Sequence, residues 1–534
     1  MQWDYWYKNV TNKEREIMDR MSQKERLDCF KGDLEFGTAG MRGLIGIGSN
    51  RMNDYVIARV TEALAQVLNE QNARKIAISY DTRFCSKQFA ELAACICAKY
   101  GITVYLADCM PTPFLSFMVR YYHCDSGIMI TASHNPKEYN GYKVYDSTGC
   151  QILPEIADKI VKQMEGVDLF NIKVPNFEKA KKQGLIIQSS QDCLNAFWAA
   201  IKSQSRAQIK NISVVYSALN GTGVQVVPKL LQDCGVIVVK NKVQCTPDPN
   251  FKTCPSPNPE KIEVYTLSRE LAKQNNADLI LCTDPDSDRL GVEVFHNDTY
   301  VHLTGNEIGI LLTDYLLSHS PRGGCIMRSI VSTSLVDKIT QKYDAKVKIV
   351  LTGFKYIGEY LNELEKQNKT SDFVFGFEES CSFLAGDFIR EKDATVTAML
   401  VCELASLCKQ YNKTIIDHLN DLYKEFGFCQ HKVVSYRFEG AKQEALNKFM
   451  NKLRNSPLAS LGGLKVEKIV DYVDGIDDLP KTNMLQYNLS QNAMAIFRPS
   501  GTEPLIKVYL TTYKNDANGD IEAMIINDLN NLFK

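Results

Sequence analysis

The sequence predicts an α/β protein whose domains surround a cleft. Two observations carry that reading. Apolar, β-branched runs alternate along the chain with amphipathic helical patterns, and the polar, chemistry-bearing motifs stand where the apolar runs stop. A third observation sets the scale. At about 150 residues per domain, 534 residues are enough for three or four domains.

The elements follow in chain order. In "YVIARVTEALAQVLNEQ", Ile57, Val60, Leu64, Val67 and Leu68 fall on one helical stripe. "KIAISYDT" (75–82), "ITVYLAD" (102–108), "NISVVYSAL" (211–219), "DLILCTDPD" (278–286) and "DFVFGFEES" (372–380) read as strands buried on both faces. Residues 246–260, "TPDPNFKTCPSPNPE", hold five prolines and must be an irregular excursion. Four polar motifs end apolar runs: "TASHNP" after "GIMI", "TDPDSDR" after "LILC", "GFEES" after "FVF" and "RPSGTEP" after "AMAIF". Ligands of α/β proteins collect at the carboxyl ends of strands. Four such loops therefore suggest four domains, each lending a loop to one cleft: 1–205, 206–322, 323–433 and 434–534.

Composition removes several function classes. Lys+Arg is 62 and Asp+Glu is 63, a net charge of -1. No polybasic surface is available for nucleic acid or an acidic membrane, so anion affinity must come from a few local cations. The first twenty residues lack the apolar core of a secretion signal, and no run of about 18 apolar residues occurs. Seventeen cysteines without a CxxC pair suit reduced, buried thiols in a cytoplasmic protein. Whether the chain is a monomer or a dimer stays open.

Asp284, Asp286 and Asp288 are three carboxylates at spacing two after a buried strand. Their mutual repulsion calls for a counter-cation, and an all-oxygen set suits Mg²⁺. An EF-hand is excluded, because its sixth and twelfth positions would be Arg289 and Phe295 instead of Gly and Glu. A solvated acidic turn is the plainer alternative. With a metal present, Arg289 is placed to hold a substrate phosphate.

Ser133 in "TASHNPKEYNGYK" is a candidate phosphoryl carrier, since a phosphoserine oxygen would complete the metal shell. Pro136 and Gly141 tighten the loop, and His134 and Lys143 offer positive hydrogen bonds. Taken alone the stretch is also a good surface turn. Neither a GxSxG elbow around Ser133 nor a P-loop is present. The dehalogenase-type phosphatase motif DxDx[TV] is not met either, because Asp288 stands at its last position. Arg498, Ser500, Gly501 and Thr502 in "RPSGTEP" make either a phosphate cradle or a hairpin turn. Arg42 in "EFGTAGMRG" adds charge beside glycines. In "GFEES" and the following "DFIREKD", Glu378, Glu379 and Ser380 can accept sugar hydroxyls, with Arg390 and Lys392 nearby. A lysine there would serve as acid or base if burial lowered its pKa. An exposed charged loop is the competing reading.

Together, in this order, "TASHNPKEYNGYK", "TDPDSDRLG", "GFEES" and "RPSGTEP" resemble the α-D-phosphohexomutase family over nearly the whole chain. "YDTRFCS", "PTP", "PDPNF", "PNPE" and "TGFKYIG" support the match. The resemblance implies three related α/β mixed-sheet domains and a smaller C-terminal α+β domain around a central cleft. It implies that Ser133 is the phosphoserine, and that Asp284, Asp286 and Asp288 hold Mg²⁺ with a phosphate oxygen of that serine. Arg42, His134, Lys143 and Arg289 would surround the moving group, and Lys392 would shuttle a proton. Glu378, Ser380, Lys355 and Arg390 would contact the sugar phosphate, with Arg498, Ser500, Gly501 and Thr502 clamping the second phosphate. The implied reaction interconverts α-D-glucose 1-phosphate and glucose 6-phosphate, with glucose 1,6-bisphosphate as intermediate and activator. Mannose or pentose phosphates, or synthesis of the bisphosphate itself, are the competing substrates and outcome. Three positions depart from the family's usual pattern. Cys381-Ser382 replaces an aromatic and a glycine, and Asn220 stands for a histidine.

Overall fold

The computed structural model describes residues 2–37, 40–438, 443–476, 479–500, 505–513 and 521–533. Two compact units divide the chain: Met1–Gly305 with Phe354–Thr414, and Asn306–Gly353 with Ile415–Lys534. Of residues 323–433, those from 354 to 414 therefore belong to the first unit.

In the first unit, β1 (Phe36–Gly37), β2 (Gly40–Leu44), β3 (Lys75–Tyr80), β4 (Thr103–Cys109), β5 (Ser126–Ile130), β6 (Tyr139–Asp146) and β7 (Ile186–Gln188) form one sheet, ordered β1-β2-β6-β5-β3-β4-β7. β7, β4, β3 and β5 run parallel, and β6 and β2 continue the sheet antiparallel. A second sheet repeats this plan with β8 (Ser213–Ser217), β9 (Ile237–Lys240), β10 (Leu279–Thr283), β11 (Leu290–His296) and β12 (Thr299–Leu303). There β9, β8 and β10 are parallel, and β11 and β12 are antiparallel. Mixed sheets arise because helical crossovers return the chain parallel, whereas tight loops must reverse it.

The second unit contains the parallel pair β13 (Cys325–Ser329) and β14 (Lys346–Val350). The first unit contains the hairpin β15 (Phe373–Glu378) and β16 (Ser382–Ala385). β17 (Cys429–Arg437), β18 (Ser460–Leu461), β19 (Leu464–Asp471), β20 (Leu485–Leu489), β21 (Met494–Pro499) and β22 (Leu505–Tyr513) complete the second unit as an antiparallel sheet. Helices Gln443–Asn455 and Ile521–Leu532 accompany it, as expected of a C-terminal α+β domain.

The helix Asp54–Glu70 forms as its stripe predicts. Asn53 caps it by accepting the Val56 N–H, and Ile57, Val60, Leu64, Val67 and Leu68 are all buried. They pack into one core with Ile76, Ile78, Ile128 and Ile130 of β3 and β5. Each such aliphatic side chain contributes about 1.5–3 kcal/mol by leaving water. β5, β10 and β15 are buried along their whole length, as apolar strands in layered sheets should be. All seventeen cysteines are free. Among the described residues no helix is long and apolar enough to cross a membrane.

Three of the four polar motifs turn out to be the bends of antiparallel hairpins, β5–β6, β10–β11 and β15–β16, and the fourth joins β21 and β22, which pair antiparallel. Strand-end placement was expected, and the immediate reversal explains how so many polar side chains project from one short bend. Asn220, one of the three unusual positions, is explained by packing. It adopts the left-handed conformation, and its amide donates to the carbonyls of Val243 and Thr246 at 2.9 and 2.8 Å, anchoring the start of the proline-rich excursion.

Candidate active site

Within the first unit, the β5–β6 and β10–β11 bends meet. Ser133 Oγ donates to Asp284 Oδ2 at 2.7 Å across 151 residues of sequence. Asp284 Oδ1 in turn accepts the N–H groups of Asp288 and Arg289 at 3.1 and 3.0 Å. The β10–β11 bend is pinned at its tip, where Thr222 donates to the Pro285 carbonyl through both N–H and Oγ1. Gly221 is required there, since a Cβ on it would lie 2.3 Å from the Pro285 Cα.

Oxygens of Asp284, Asp286 and Asp288 lie within 4.8 Å of one another, and all three residues are buried. Burial first, and then the charges of Asp286 and Asp288, push the Asp284 carboxyl well above the usual range. Burial would raise Asp286 as well. Lys143, a hydrogen bond from Asp284 and the charge of Lys392 outweigh it and hold Asp286 low. Among the described residues, Asp286 Oδ1 and Asp288 Oδ1 have no hydrogen-bond partner. Unpartnered buried carboxylate oxygens converging in an all-oxygen set fit a hard divalent cation.

Cations line the same place. Lys143 Nζ is 2.9 Å from Asp286 Oδ2 and 3.6 Å from Asp288 Oδ2. Lys392 Nζ is 2.8 Å from Asp288 Oδ2 and 3.0 Å from Glu391 Oε1. Glu391 is itself held by the Tyr145 hydroxyl at 3.0 Å and by Gln151 at 2.9 Å. Arg289 pairs with Glu260, at the end of the proline-rich excursion, at 2.7 Å. Arg42 donates to Asn135 Oδ1 at 2.9 Å, while Thr112 donates to Asp286 Oδ2 at 3.0 Å.

Two shifts in protonation bear on the roles expected of Lys392 and His134. An acid or base role for Lys392 was tied to burial lowering its pKa. Burial does act in that direction, but Asp288 and Glu391 outweigh it and leave the ammonium raised. Lys392 is therefore held as a cation. His134 was expected to present positive charge. Burial, followed by the guanidiniums of Arg289 and Arg42, lowers it well below the usual imidazole value. Its Nδ1, 3.2 Å from Ser133 Oγ, belongs to a neutral ring.

The β15–β16 bend lies along the metal-type loop. The Leu290 N–H donates to the Cys381 carbonyl at 3.1 Å, and Arg289 bridges to Ser382. Glu378 is buried and pairs with Ser382 across the hairpin, and the Ser380 hydroxyl meets that of Ser382 at 3.2 Å. Lys355 stands half-buried at the start of the helix Lys355–Lys366, with burial lowering its ammonium. Arg390, expected to contact the substrate, is occupied by internal partners. Its side chain is enclosed, with Nε donating to Asn362 at 2.6 Å and Nη1 to the carbonyls of Asp387 and Ile389. Nη2 donates to Glu365 at 2.7 Å. Arg498 and Ser500 belong to the β21–β22 hairpin of the second unit, where the Ser500 N–H donates to the Leu505 carbonyl at 2.9 Å. Gly501 and Thr502 lie outside the described residues.

Residue-by-residue reading passed over Asp81, Arg83, Thr112, Glu260 and Glu391. One signal was available, because "DTR" sets two opposite charges at the end of the apolar run "KIAISY".

Comparison with known proteins places three family models in order along the chain. They are described as phosphoglucomutase/phosphomannomutase α/β/α domains I, II and III, and match residues 33–170, 191–296 and 304–426. The chain is 36% identical over 527 residues to a phosphoglucomutase of Staphylococcus aureus strain USA300, covering 93% of each protein. It is similar in fold to a phosphoglucomutase/phosphomannomutase family protein from Burkholderia thailandensis. That likeness has a TM-score of 0.72 at 18% identity and covers 93% of this chain and 97% of that one. Parafusin, a phosphoglucomutase from Paramecium, matches with a TM-score of 0.70 at 18% identity, covering 94% and 95%.

Proposed function

The chain belongs to the phosphoglucomutase/phosphomannomutase family, and from that membership we propose that it interconverts α-D-glucose 1-phosphate and glucose 6-phosphate. The observation that carries the proposal is Ser133 Oγ, 2.7 Å from Asp284 in a buried triad flanked by Lys143 and Lys392. In this reading Ser133 carries a phosphoryl group and passes it to O6 of glucose 1-phosphate. The resulting glucose 1,6-bisphosphate turns over, and its other phosphate returns to Ser133 to release glucose 6-phosphate.

Asp284, Asp286 and Asp288 would hold Mg²⁺, which when bound supplies positive charge to the phosphoryl oxygens. The chain's own residues do the remaining work. Asp284 aims Ser133 Oγ. Lys143 and Lys392 are fixed cations at the place where negative charge moves, which suits a reaction driven by positioning and electrostatics. Lys392, held protonated, is placed to give a proton to the sugar oxygen as its phosphate departs and to recover the proton that the Ser133 hydroxyl loses on taking that phosphate. Arg42 and Arg289 contribute further charge, and neutral His134 contributes a hydrogen bond to Ser133. Glu378 and Ser380 are proposed to bind sugar hydroxyls, Lys355 to contact the substrate, and Arg498, Ser500, Gly501 and Thr502 to be phosphate ligands. Seventeen free thiols support a reducing, cytoplasmic setting.

Rates with glucose 1-phosphate, mannose 1-phosphate and ribose 1-phosphate, measured in parallel, test the substrate. Glucose 1-phosphate is expected to turn over fastest, and a faster competitor would overturn the assignment. Intact mass tests the carrier. A fraction of the protein should hold one phosphoryl group that is lost in Ser133→Ala. A phosphoenzyme that survives Ser133→Ala but not Asp284→Asn would point to an aspartyl phosphatase instead.

A further inference from the structure

We propose that Asp81, Arg83 and Thr131 form a positioning device that pins the backbone of Ser133 on both sides of its Cα, and that the relay through the Thr131 hydroxyl sets the rate at which Ser133 exchanges phosphate. The inference rests on the reading of Ser133 as phosphoryl carrier.

Ser133 has φ of 51°, in the left-handed region that a side chain adopts only when its surroundings hold it there. The surroundings are specific. One guanidinium, that of Arg83, donates to the carbonyls of Ser133 and Asn135 at 2.5 Å each. It also donates to the carbonyls of Pro136 and Tyr139 at 2.8 and 3.1 Å. Its Nε lies 3.1 Å from Asp81 Oδ2. That same oxygen accepts the Thr131 hydroxyl at 2.6 Å. A threonine hydroxyl has one proton to give. With the proton committed to Asp81, the Thr131 oxygen is left as an acceptor, and it receives the Ser133 N–H at 2.8 Å.

Asp81 is fixed in its turn. Oδ1 accepts the Ser86 hydroxyl at 2.7 Å and the Arg83 N–H at 3.0 Å, and the Asp81 N–H donates to the Ile130 carbonyl at the end of β5. Asp81, Arg83, Ser86 and Thr131 are all buried. Burying an ion pair is costly, and a pair retained there calls for a specific geometric use. The use visible here is a Ser133 held at its N–H by Thr131 and at its carbonyl by Arg83, so that Oγ meets Asp284 without searching. Asp81 and Thr131 reach the carboxylate triad through Ser133, whose Oγ meets Asp284, whereas the charge of Arg83 is also felt by Asp284 and Asp286; the hydroxyl relay therefore acts through Ser133.

Thr131→Val removes the relay at constant shape, and Thr131→Ser keeps it. Three quantities are measured on each variant and on Arg83→Lys: the Tm, the KM for glucose 1-phosphate, and the single-turnover rate of phosphate transfer from glucose 1,6-bisphosphate to dephosphorylated Ser133. Thr131→Val is expected to slow the transfer by about tenfold or more, with KM within about twofold of the parent, and Thr131→Ser to restore it to within about threefold. Arg83→Lys keeps a charge against Asp81 but loses the fork, and should slow transfer likewise. If Thr131→Val transfers at the parent rate while the parent is phosphorylated on Ser133, this inference alone falls. Equal losses in the valine and serine variants also overturn it. If the parent takes no phosphate on Ser133, the functional reading falls and takes the inference with it.

Discussion

Two buried residues flanking Glu391 and Lys392 in the chain do work that their residue type does not announce. Arg390 looks like a phosphate ligand in "REKD", yet its guanidinium ties Asn362, Glu365 and two carbonyls together. Removing it would strand those partners. Arg390→Met is therefore expected to cost about 2–4 kcal/mol, read as a lower Tm with KM for glucose 1-phosphate unchanged. A large rise in KM at constant Tm would return Arg390 to the substrate. Asp393 caps the helix Ala394–Gln410 by accepting the Thr395 N–H at 2.6 Å, while its Oδ2 has no hydrogen-bond partner among the described residues. Burial pushes its carboxyl up to about 7. An aspartate in the unfolded chain titrates near 4, so between about pH 4 and pH 7 the folded protein holds a proton that the unfolded chain has lost. Stability from this group is thus present at low pH, falls as pH rises through that window, and levels off above it. Asp393→Asn keeps a capping oxygen and should flatten the dependence of Tm on pH across the window. An unchanged slope would assign the effect to another group.

At the scale of elements, the hairpin is the device that turns a buried strand into a site. β6 lies so close to the end of β5 on one side and to β2 on the other that a Cβ on Gly141 would lie 2.4 Å from the Thr131 carbonyl and 3.0 Å from that of Met41. Both obstacles are backbone, so Gly141→Ala must open the hairpin and displace Thr131 and Ser133 together. It is expected to lower the Tm and the phosphorylated fraction of Ser133. Gly32→Ala, with nothing within 4 Å of the added carbon, should change neither. Full phosphorylation in Gly141→Ala would show that the close approach is dispensable. The hairpins also explain what could be read beforehand. Ser133, Lys143 and the aspartates are local signals, since each follows an apolar run on a continuous stretch of chain. Strand periodicity made β3, β4, β5, β8, β10 and β15 legible for the same reason. Other contacts join residues far apart in sequence: Arg83 to the Ser133 loop, Thr112 to Asp286, and Tyr145 to Glu391. No local pattern encodes such pairings. Protonation states were illegible in the same way, because the charge of Lys392 depends on Asp288, more than a hundred residues away.

For the whole molecule, the near-equal totals of 62 basic and 63 acidic residues hide a strongly uneven local arrangement. Three buried carboxylates and the cations Lys143, Lys392 and Arg289 sit together within the first unit. A ligand that binds the folded triad and not the unfolded chain must stabilise the fold by mass action, by about 2.7 kcal/mol at a hundred times its dissociation constant. Mg²⁺ added to dephosphorylated, metal-stripped protein should therefore raise the Tm in a concentration-dependent way. It should also slow amide exchange in 126–146 and 279–296, the two hairpins that carry Ser133 and the triad. The unfolded aspartates offer no preformed site, so the effect should saturate and should be reversed by a chelator. Asp286→Asn with Asp288→Asn keeps the side-chain volumes and relieves the mutual repulsion, so the doubly substituted protein should fold and yet lose the Mg²⁺ response. The same rise in Tm in that variant would mean that the cation acts elsewhere on the chain, and would leave the triad as a set of acids balanced by Lys143 and Lys392 alone.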